Sequence, residues 1–94
     1  MIQSFKCKET EKIFGGQVSR KIPDSIQARA FNKLVAIHVS LTLNDLKSPP
    51  SNHLEHLKGD RAGQLSIRVN SKYRICFTWN DGNAYEVEIV DYHD

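Results

Sequence analysis

The last third of the chain alternates between apolar and polar residues in three successive segments. Every second residue is apolar, which is the period of a β-strand with one buried face. The apolar positions are Leu65, Ile67 and Val69, then Ile75, Phe77 and Trp79, and finally Tyr85, Val87 and Ile89. Between the last two segments lies Asn80-Asp81-Gly82-Asn83, whose residues tolerate the positive φ of a tight hairpin turn. The pattern predicts an antiparallel three-stranded meander.

The strands can be aligned because facing residues must point to the same side of the sheet. The predicted pairs are Val69–Ile75, Ile67–Phe77, Trp79–Tyr85 and Phe77–Val87. The other face then carries Ser66, Arg68, Asn70, Arg74, Cys76, Thr78, Glu86 and Glu88. On this face we expect Arg68 and Arg74 to be diagonal neighbours, near the end of the sheet that holds Val90 and Tyr92. Such a face is often merely solvated, but its polar groups make it the first place to look for function.

The segments before the meander predict a short strand and two helices. Residues 2–7 alternate and should pair with an edge of the meander. Residues 8–14 fit two helical turns that end at Gly15-Gly16. A longer helix should start at Pro23, with Asp24 or Ser25 as its cap. Its apolar stripe, which should cover the sheet, is Ile26, Ala30, Leu34 and Ile37. Residues 41–46 fit another turn, and the paired prolines exclude helix from the loop 47–52.

Length and composition predict a single small globular domain over residues 1–94. The chain has 94 residues, of which 39% are hydrophobic and 26% charged. No segment approaches the roughly 20 apolar residues that a membrane span needs, and the N-terminus does not resemble a signal peptide. We therefore expect a cytoplasmic protein with no membrane partner. Cys7 and Cys76 are too far apart for a paired-cysteine motif, so both should be free thiols, buried or half-buried.

Positive charge is concentrated in the first 33 residues, which hold seven Lys and Arg against three acids. A basic flank suits a polyanion because neutralising phosphates releases counterions, and it suits an acidic protein partner equally well. The candidates for contact with RNA or the ribosome are Lys6, Lys8, Lys12, Arg20 and Lys21, to which Arg61 is added from a later segment.

The segment 53–63 is dense in ionisable side chains and is flanked by turns. His53 and His56 are three residues apart, but no third ligand accompanies them, so no metal site is predicted. His38 lies beside the stripe of the long helix and is interpreted as a structural histidine.

Three local motifs, in the predicted order of elements, carry a family resemblance. They are Leu57-Lys58-Gly59-Asp60-Arg61-Ala62-Gly63, then Ser66-Ile67-Arg68-Val69-Asn70 with Tyr73-Arg74-Ile75, and finally Asp91-Tyr92-His93. The opening Met1-Ile2-Gln3-Ser4-Phe5 also fits. Together they resemble the HigB branch of the RelE toxin superfamily. The resemblance implies a RelE-like α+β fold: an N-terminal strand, two helices, and an antiparallel three-stranded meander with the helices on one face.

The resemblance also implies an activity and partners. Such toxins cut messenger RNA in the A site of the 70S ribosome by attack of a ribose 2′-OH, without metal or other cofactor. A HigA-type helix-turn-helix antitoxin holds the toxin, and operator DNA is contacted only through that antitoxin. The antitoxin either covers the active site or blocks entry to the ribosome by its bulk, and both arrangements remain open.

The candidate residues suit this chemistry. His93 is an acid–base candidate because imidazole titrates near neutral pH, and Asp91 would orient it or serve as the base. Tyr92 offers a ring for stacking a base and a hydroxyl for a phosphate. Arg68 and Arg74 are planar donor forks for phosphate, and Lys58 is a mobile point charge.

One position departs from the family pattern. Some relatives have a catalytic histidine upstream of the Leu-Lys-Gly-Asp-Arg motif, and this chain has Glu55 there, followed by His56. Either His56 substitutes, or Glu55 takes over, or the site works without that group. A different class of function also stays open: a non-catalytic module that binds RNA or the ribosome and acts by occupancy.

Overall fold

The computed structural model describes residues 1–91 of the chain, as an α+β fold. Its helices are α1 (Lys8–Phe14) and α2 (Asp24–Val39), followed by short 3-10 turns at Leu43–Lys47, Pro50–Asn52 and Gly59–Arg61. Its strands are β1 (Glu55–His56), β2 (Leu65–Arg68), β3 (Tyr73–Asn80) and β4 (Asn83–Asp91). The predicted order of helices and meander strands is confirmed.

The sheet is antiparallel with the strand order β1-β2-β3-β4. Strand β1 was not predicted, because its two residues lie in a segment that reads as a turn. The N-terminal segment pairs with β4, as expected, but only through isolated parallel bridges from Ile2 to Ala84 and from Phe5 to Val87. The polar face therefore runs from β1 at one edge to the N-terminal segment at the other.

The predicted register of the first hairpin is wrong by two residues. Ile67 faces Ile75 and Leu65 faces Phe77. A slip of two residues keeps every side chain on its own face, so apolar alternation cannot distinguish the two registers. The turn decides between them, because the Asn70 side-chain oxygen accepts hydrogen bonds from two backbone N–H groups of the turn, those of residues 72 and 73.

The second hairpin follows the predicted register at its far end, where Ile75 faces Ile89. Nearer the turn, a β-bulge shifts the pairing by one residue, and Glu86 has the left-handed φ of 54° there. Trp79 consequently faces Ala84, so the predicted Trp79–Tyr85 pair is wrong. Ala84 is fully buried and takes the place in the apolar stripe that was predicted for Tyr85.

Helix α2 covers the apolar face of the sheet. Its predicted stripe is confirmed, because Ile26, Ala30, Leu34 and Ile37 are all buried in the core. The predicted cap is wrong: Pro23 occupies the cap position, and no side chain caps the helix.

The remaining structural predictions concern helix α1, the loop 47–52, the two cysteines and membrane spans. Helix α1 ends at Phe14, before the glycine pair, as predicted. The loop 47–52 holds no α-helix, but a single 3-10 turn forms at Pro50–Asn52. Cys7 and Cys76 are free thiols, half-buried and buried respectively, as expected. None of the helices between residues 1 and 91 is long and apolar enough to cross a membrane.

Candidate functional site

Two arginines face each other on the polar side of the sheet. Arg68 on β2 is the direct partner of Arg74 on β3, and Arg74 is the direct partner of Val90 on β4. The prediction that the two arginines are diagonal neighbours is therefore wrong, and they lie closer together than expected, because the first hairpin is shifted by two residues. We call Arg68 and Arg74 the arginine pair.

The side chain of Arg74 is held by three groups. Its Nε donates to Ser66 Oγ at 2.8 Å, and its Nη2 donates to the carbonyl oxygen of His53. The same Nη2 lies 3.6 Å from Glu55 Oε1, and only 11% of the Arg74 side chain is exposed. Fixed donors of this kind need little reorganisation when negative charge develops beside them.

Strand β1 brings Glu55, and not His56, to Arg74. Glu55 is the direct partner of Ser66, whereas His56 is the partner of Leu65, whose side chain belongs to the core. Because successive residues of a strand point to opposite faces, the Glu55 side chain shares the face of the arginine pair. Half of it is exposed, at 51%, so it is accessible to a substrate.

The other predicted catalytic residues are Lys58, Asp91, Tyr92 and His93. Lys58 is exposed, directly before the turn Gly59–Arg61. Asp91, the last residue of β4, is the partner of Tyr73, and its carboxylate is 3.6 Å from Lys72 Nζ. Tyr92 and His93 lie outside the described residues.

Two of the residues predicted to contact RNA form ion pairs with the same carboxylate. Lys6 Nζ and Arg61 Nη1 lie 3.5 Å and 3.7 Å from Glu88 Oε2, whose side chain is 15% exposed. Arg61 also donates to Gln64 Oε1. Sequence reasoning placed Glu88 on this face but did not find its partners.

The basic flank is mostly solvent-exposed. Lys12 pairs with Glu9 at 3.3 Å. Lys8, Arg20 and Lys21 are exposed.

A buried thiol, Cys76, lies on the same face of the sheet. Burial raises the pKa of the Cys76 thiol, which lies between Ser66 and Glu88 on neighbouring strands. Cys76 is therefore a poor nucleophile at neutral pH.

Among residues 1–91, no group of three or more His, Cys, Asp and Glu side chains is arranged to hold a metal ion.

Sequence reasoning missed the role of Ser66. Alternation placed it on the polar face between two apolar residues, but nothing in the sequence pairs it with Arg74. The register error hid the contact, because the predicted alignment put Ser66 opposite Thr78 rather than Cys76.

Comparisons with known proteins identify the family. The family described as the RelE-like toxin of type II toxin-antitoxin system HigB matches residues 3–93. The chain belongs to the HigB-like toxins. This confirms the resemblance inferred from the three sequence motifs.

Curated relatives match almost the whole chain. The HigB-like chain is 41% identical over 85 residues to Toxin HigB-1 of Vibrio cholerae serotype O1 (strain ATCC 39315 / El Tor Inaba N16961), covering 89% of this chain and 90% of that one. It is 36% identical over 93 residues to Endoribonuclease HigB of Proteus vulgaris, covering 99% of this chain and 100% of that one.

Solved structures share the fold of this HigB-like chain. One is a heterotetrameric complex of YoeB-YefM toxin-antitoxin from Staphylococcus aureus, with a TM-score of 0.61 and 20% identity, covering 100% of this chain and 97% of that one. A second YoeB-YefM complex from the same organism has a TM-score of 0.58 and 21% identity over the same shares. The predicted RelE-like architecture is confirmed.

Proposed function

We propose that the mRNA endoribonuclease activity of this HigB-like toxin is centred on the arginine pair and acts on messenger RNA in the A site of the 70S ribosome. One observation carries the proposal: Arg68 and Arg74 face each other on the sheet, and Arg74 is fixed by Ser66 and His53 beside the carboxylate of Glu55. Two arginines at directly paired positions on one face of the sheet suit a phosphate that gains negative charge during the reaction.

The reaction is an intramolecular displacement at phosphorus. The ribose 2′-oxygen loses its proton and forms a bond to the adjacent phosphorus, and the bond from phosphorus to the 5′-oxygen breaks. The products are a 2′,3′-cyclic phosphate and a 5′-hydroxyl that has taken up a proton. Neither step changes an oxidation state or requires a metal. The arginine pair stabilises the charge on the pentavalent phosphate, and Lys58 adds a further positive charge.

The acid–base roles are part of this proposal. Glu55 is the proposed base for the 2′-OH, because it lies on the face of the arginine pair and His56 does not. His93 is the proposed acid for the departing 5′-oxygen, because imidazole is substantially populated in both protonation states near neutral pH. Tyr92 is proposed to stack on an unpaired base. Asp91 is given no part at the phosphate, because it alternates with Val90, the direct partner of Arg74, and its side chain therefore points to the opposite face.

The proposed partners follow from the family and its neighbours. Type II toxins are paired with antitoxins, and the structural neighbours were solved as toxin-antitoxin complexes. We propose a HigA-type helix-turn-helix antitoxin that carries the only contact with operator DNA, and a cytoplasmic location, where ribosomes are found. The exposed basic residues Lys8, Arg20 and Lys21 are proposed to face the ribosome, with Lys6 and Lys12 beside them.

The test is expression in cells with mapping of RNA 5′ ends. The wild-type chain should arrest growth and create new 5′ ends within translated messages, and Arg74→Ala and His93→Ala should each relieve both effects. Lys47→Gln, which removes one exposed charge outside the site, is the control and should remain toxic. Soluble, folded variants that stay fully toxic would show that the site is elsewhere. Arrest without new 5′ ends would show instead that the protein acts by occupancy.

A further inference from the structure

A basic cavity adjoins the arginine pair at the edge of the sheet. It has a volume of about 640 Å³ and lies between helix α2, the loop before β1, and the end of β2. Volumes of roughly 300–1,000 Å³ are typical of sites for small molecules and cofactors, so this one has room for a nucleotide. Among the described residues, four ionisable ones line it, and none of them is acidic: Arg29, Lys33, His53 and Arg68.

The three permanent cations of the cavity are fixed by neutral groups. Arg29 Nη1 donates to the carbonyl oxygen of Val69, and Arg68 Nε donates to that of Asn70. Lys33 Nζ donates to the side-chain oxygen of Asn52, a buried residue. Each bond uses one nitrogen, while a guanidinium carries five N–H donors. The side chains are therefore held in place and keep most of their capacity to bind an anion.

Three cations without an acidic partner lie together in this cavity: within the described part of the molecule, Arg29, Lys33 and Arg68 form no ion pair. Carboxylates pair with five other cations, Lys6, Lys12, Arg61, Lys72 and Arg74. The remaining cations, Lys8, Arg20, Lys21, Lys47 and Lys58, also form no ion pair among the described residues, but none of them lines the cavity. Arg29 and Lys33 are also four residues apart on α2, a spacing at which like charges repel and weaken the helix. An anion in the cavity would remove that repulsion.

The cavity is continuous with the proposed active site through two residues. Arg68 lines the cavity and also faces Arg74. His53 also lines the cavity, and its backbone carbonyl accepts the bond from Arg74. A strand with one phosphate on the arginine pair would place a neighbouring nucleotide at the cavity mouth.

From this arrangement we propose that the cavity is a second RNA subsite, which binds the phosphate and ribose of a nucleotide next to the cleaved linkage. Arg29, Lys33 and Arg68 hold the phosphate, and Ser51 and Ser71, which also line the cavity, offer hydroxyls of the kind that bind a ribose. The inference rests on the proposed function for the position of the cleaved linkage, but the binding itself requires no cleavage.

The test is the salt dependence of binding to a short single strand with 2′-O-methyl riboses, which cannot be cleaved because the attacking hydroxyl is blocked. The slope of log Kobs against log salt is negative, and removing one phosphate contact reduces its magnitude by about 0.7. Binding then weakens about fivefold at ~0.1 M salt. We expect this change for Arg29→Gln, whatever the base sequence. Arg29→Lys should retain most of the slope, and the control Lys47→Gln should behave as wild type.

A slope for Arg29→Gln equal to that of Lys47→Gln would overturn the inference. So would unchanged RNA binding together with weakened binding of the antitoxin, which would make the cavity a protein-docking site. A parallel series on ribosomes without message separates two sources of the phosphate: a loss on the free strand supports the message as the ligand, and a loss confined to the ribosomes overturns the inference in favour of ribosomal RNA. Toxicity that survives Arg74→Ala would refute the proposed active site and leave these slopes unaffected.

Discussion

Ser66→Ala should impair cleavage without removing any charge from the site. Ser66 is fully buried in β2, and its hydroxyl accepts the 2.8 Å bond from Arg74 Nε. Alanine leaves that N–H without its acceptor in a side chain that is only 11% exposed. The guanidinium keeps its contacts with His53 and Glu55, so it stays near the site but is held less firmly in one orientation.

The magnitudes follow from these contacts. An unsatisfied buried donor costs about 1–3 kcal/mol. A value near 2 kcal/mol would lower the melting temperature of a domain of this size by roughly 8–16 °C. Removing a donor that stabilises developing charge slows reactions about 10²–10³-fold. We expect a smaller loss, on the order of tenfold, because Ser66→Ala loosens the Arg74 donor without deleting it.

The assay is single-turnover cleavage on programmed ribosomes at saturating toxin, at a temperature where circular dichroism shows every variant folded. Thr78→Val is the matched control, because it removes a hydroxyl from the same face of the sheet, where Thr78 Oγ1 donates to the carbonyl of Tyr85. It should cost some stability and leave the rate unchanged. If Ser66→Ala cleaves at the rate of Thr78→Val, orientation of Arg74 by Ser66 plays no part in catalysis.

Two further predictions concern charge on other parts of the molecule. Glu88→Gln should strengthen binding of uncleavable RNA, because Lys6 and Arg61 lose their shared carboxylate. The free energy of unfolding should fall by about 1 kcal/mol. Unchanged RNA affinity would exclude both cations from the interface. Ser19 Oγ donates to the Glu9 carboxylate and holds the pKa of Glu9 below its ordinary 4.5. Because a lowered folded-state pKa stabilises the fold above the unfolded value, denaturant titrations should show stability falling from pH ~6 to pH ~3. The decline should be shallower in Ser19→Ala, and parallel curves would contradict this origin.

The faces of the sheet were predictable from the sequence, but the pairing of its strands was not. Alternation identifies the buried side of each strand, and a slip of two residues leaves that side unchanged. The correct register depends on one turn side chain, because the Asn70 oxygen accepts hydrogen bonds from backbone N–H groups of its own turn. The alternation of apolar residues does not reveal this preference. The bulge at Glu86 could not be predicted from the sequence either, because nothing in it marks a non-glycine residue that adopts a positive φ.

The members of the candidate site were predictable to the extent that motifs reveal them. The motifs supplied the arginine pair, and the structure shows which neighbour approaches Arg74: Glu55 on the same face, and not His56 on the opposite one. Strand β1 decides this, and two residues are too few to produce a recognisable pattern. The basic cavity was missed for a similar reason, since it joins Arg29, Asn32 and Lys33 of α2 to residues of later segments, from Ser51 onward.

Charge divides the polar surface into two unequal parts. Around Glu88, Lys6 and Arg61 share a single carboxylate, so this part keeps only a small excess of positive charge. From Arg74 through Arg68 into the basic cavity the excess is larger, and the half-exposed Glu55 pairs with Arg74. A polyanionic strand gains most by following the second part, because Arg29, Lys33 and Arg68 form no ion pair among the described residues that the strand would have to replace. If Glu55 is the base, the incoming phosphate competes with it for Arg74 and releases the carboxylate to accept the 2′-OH proton.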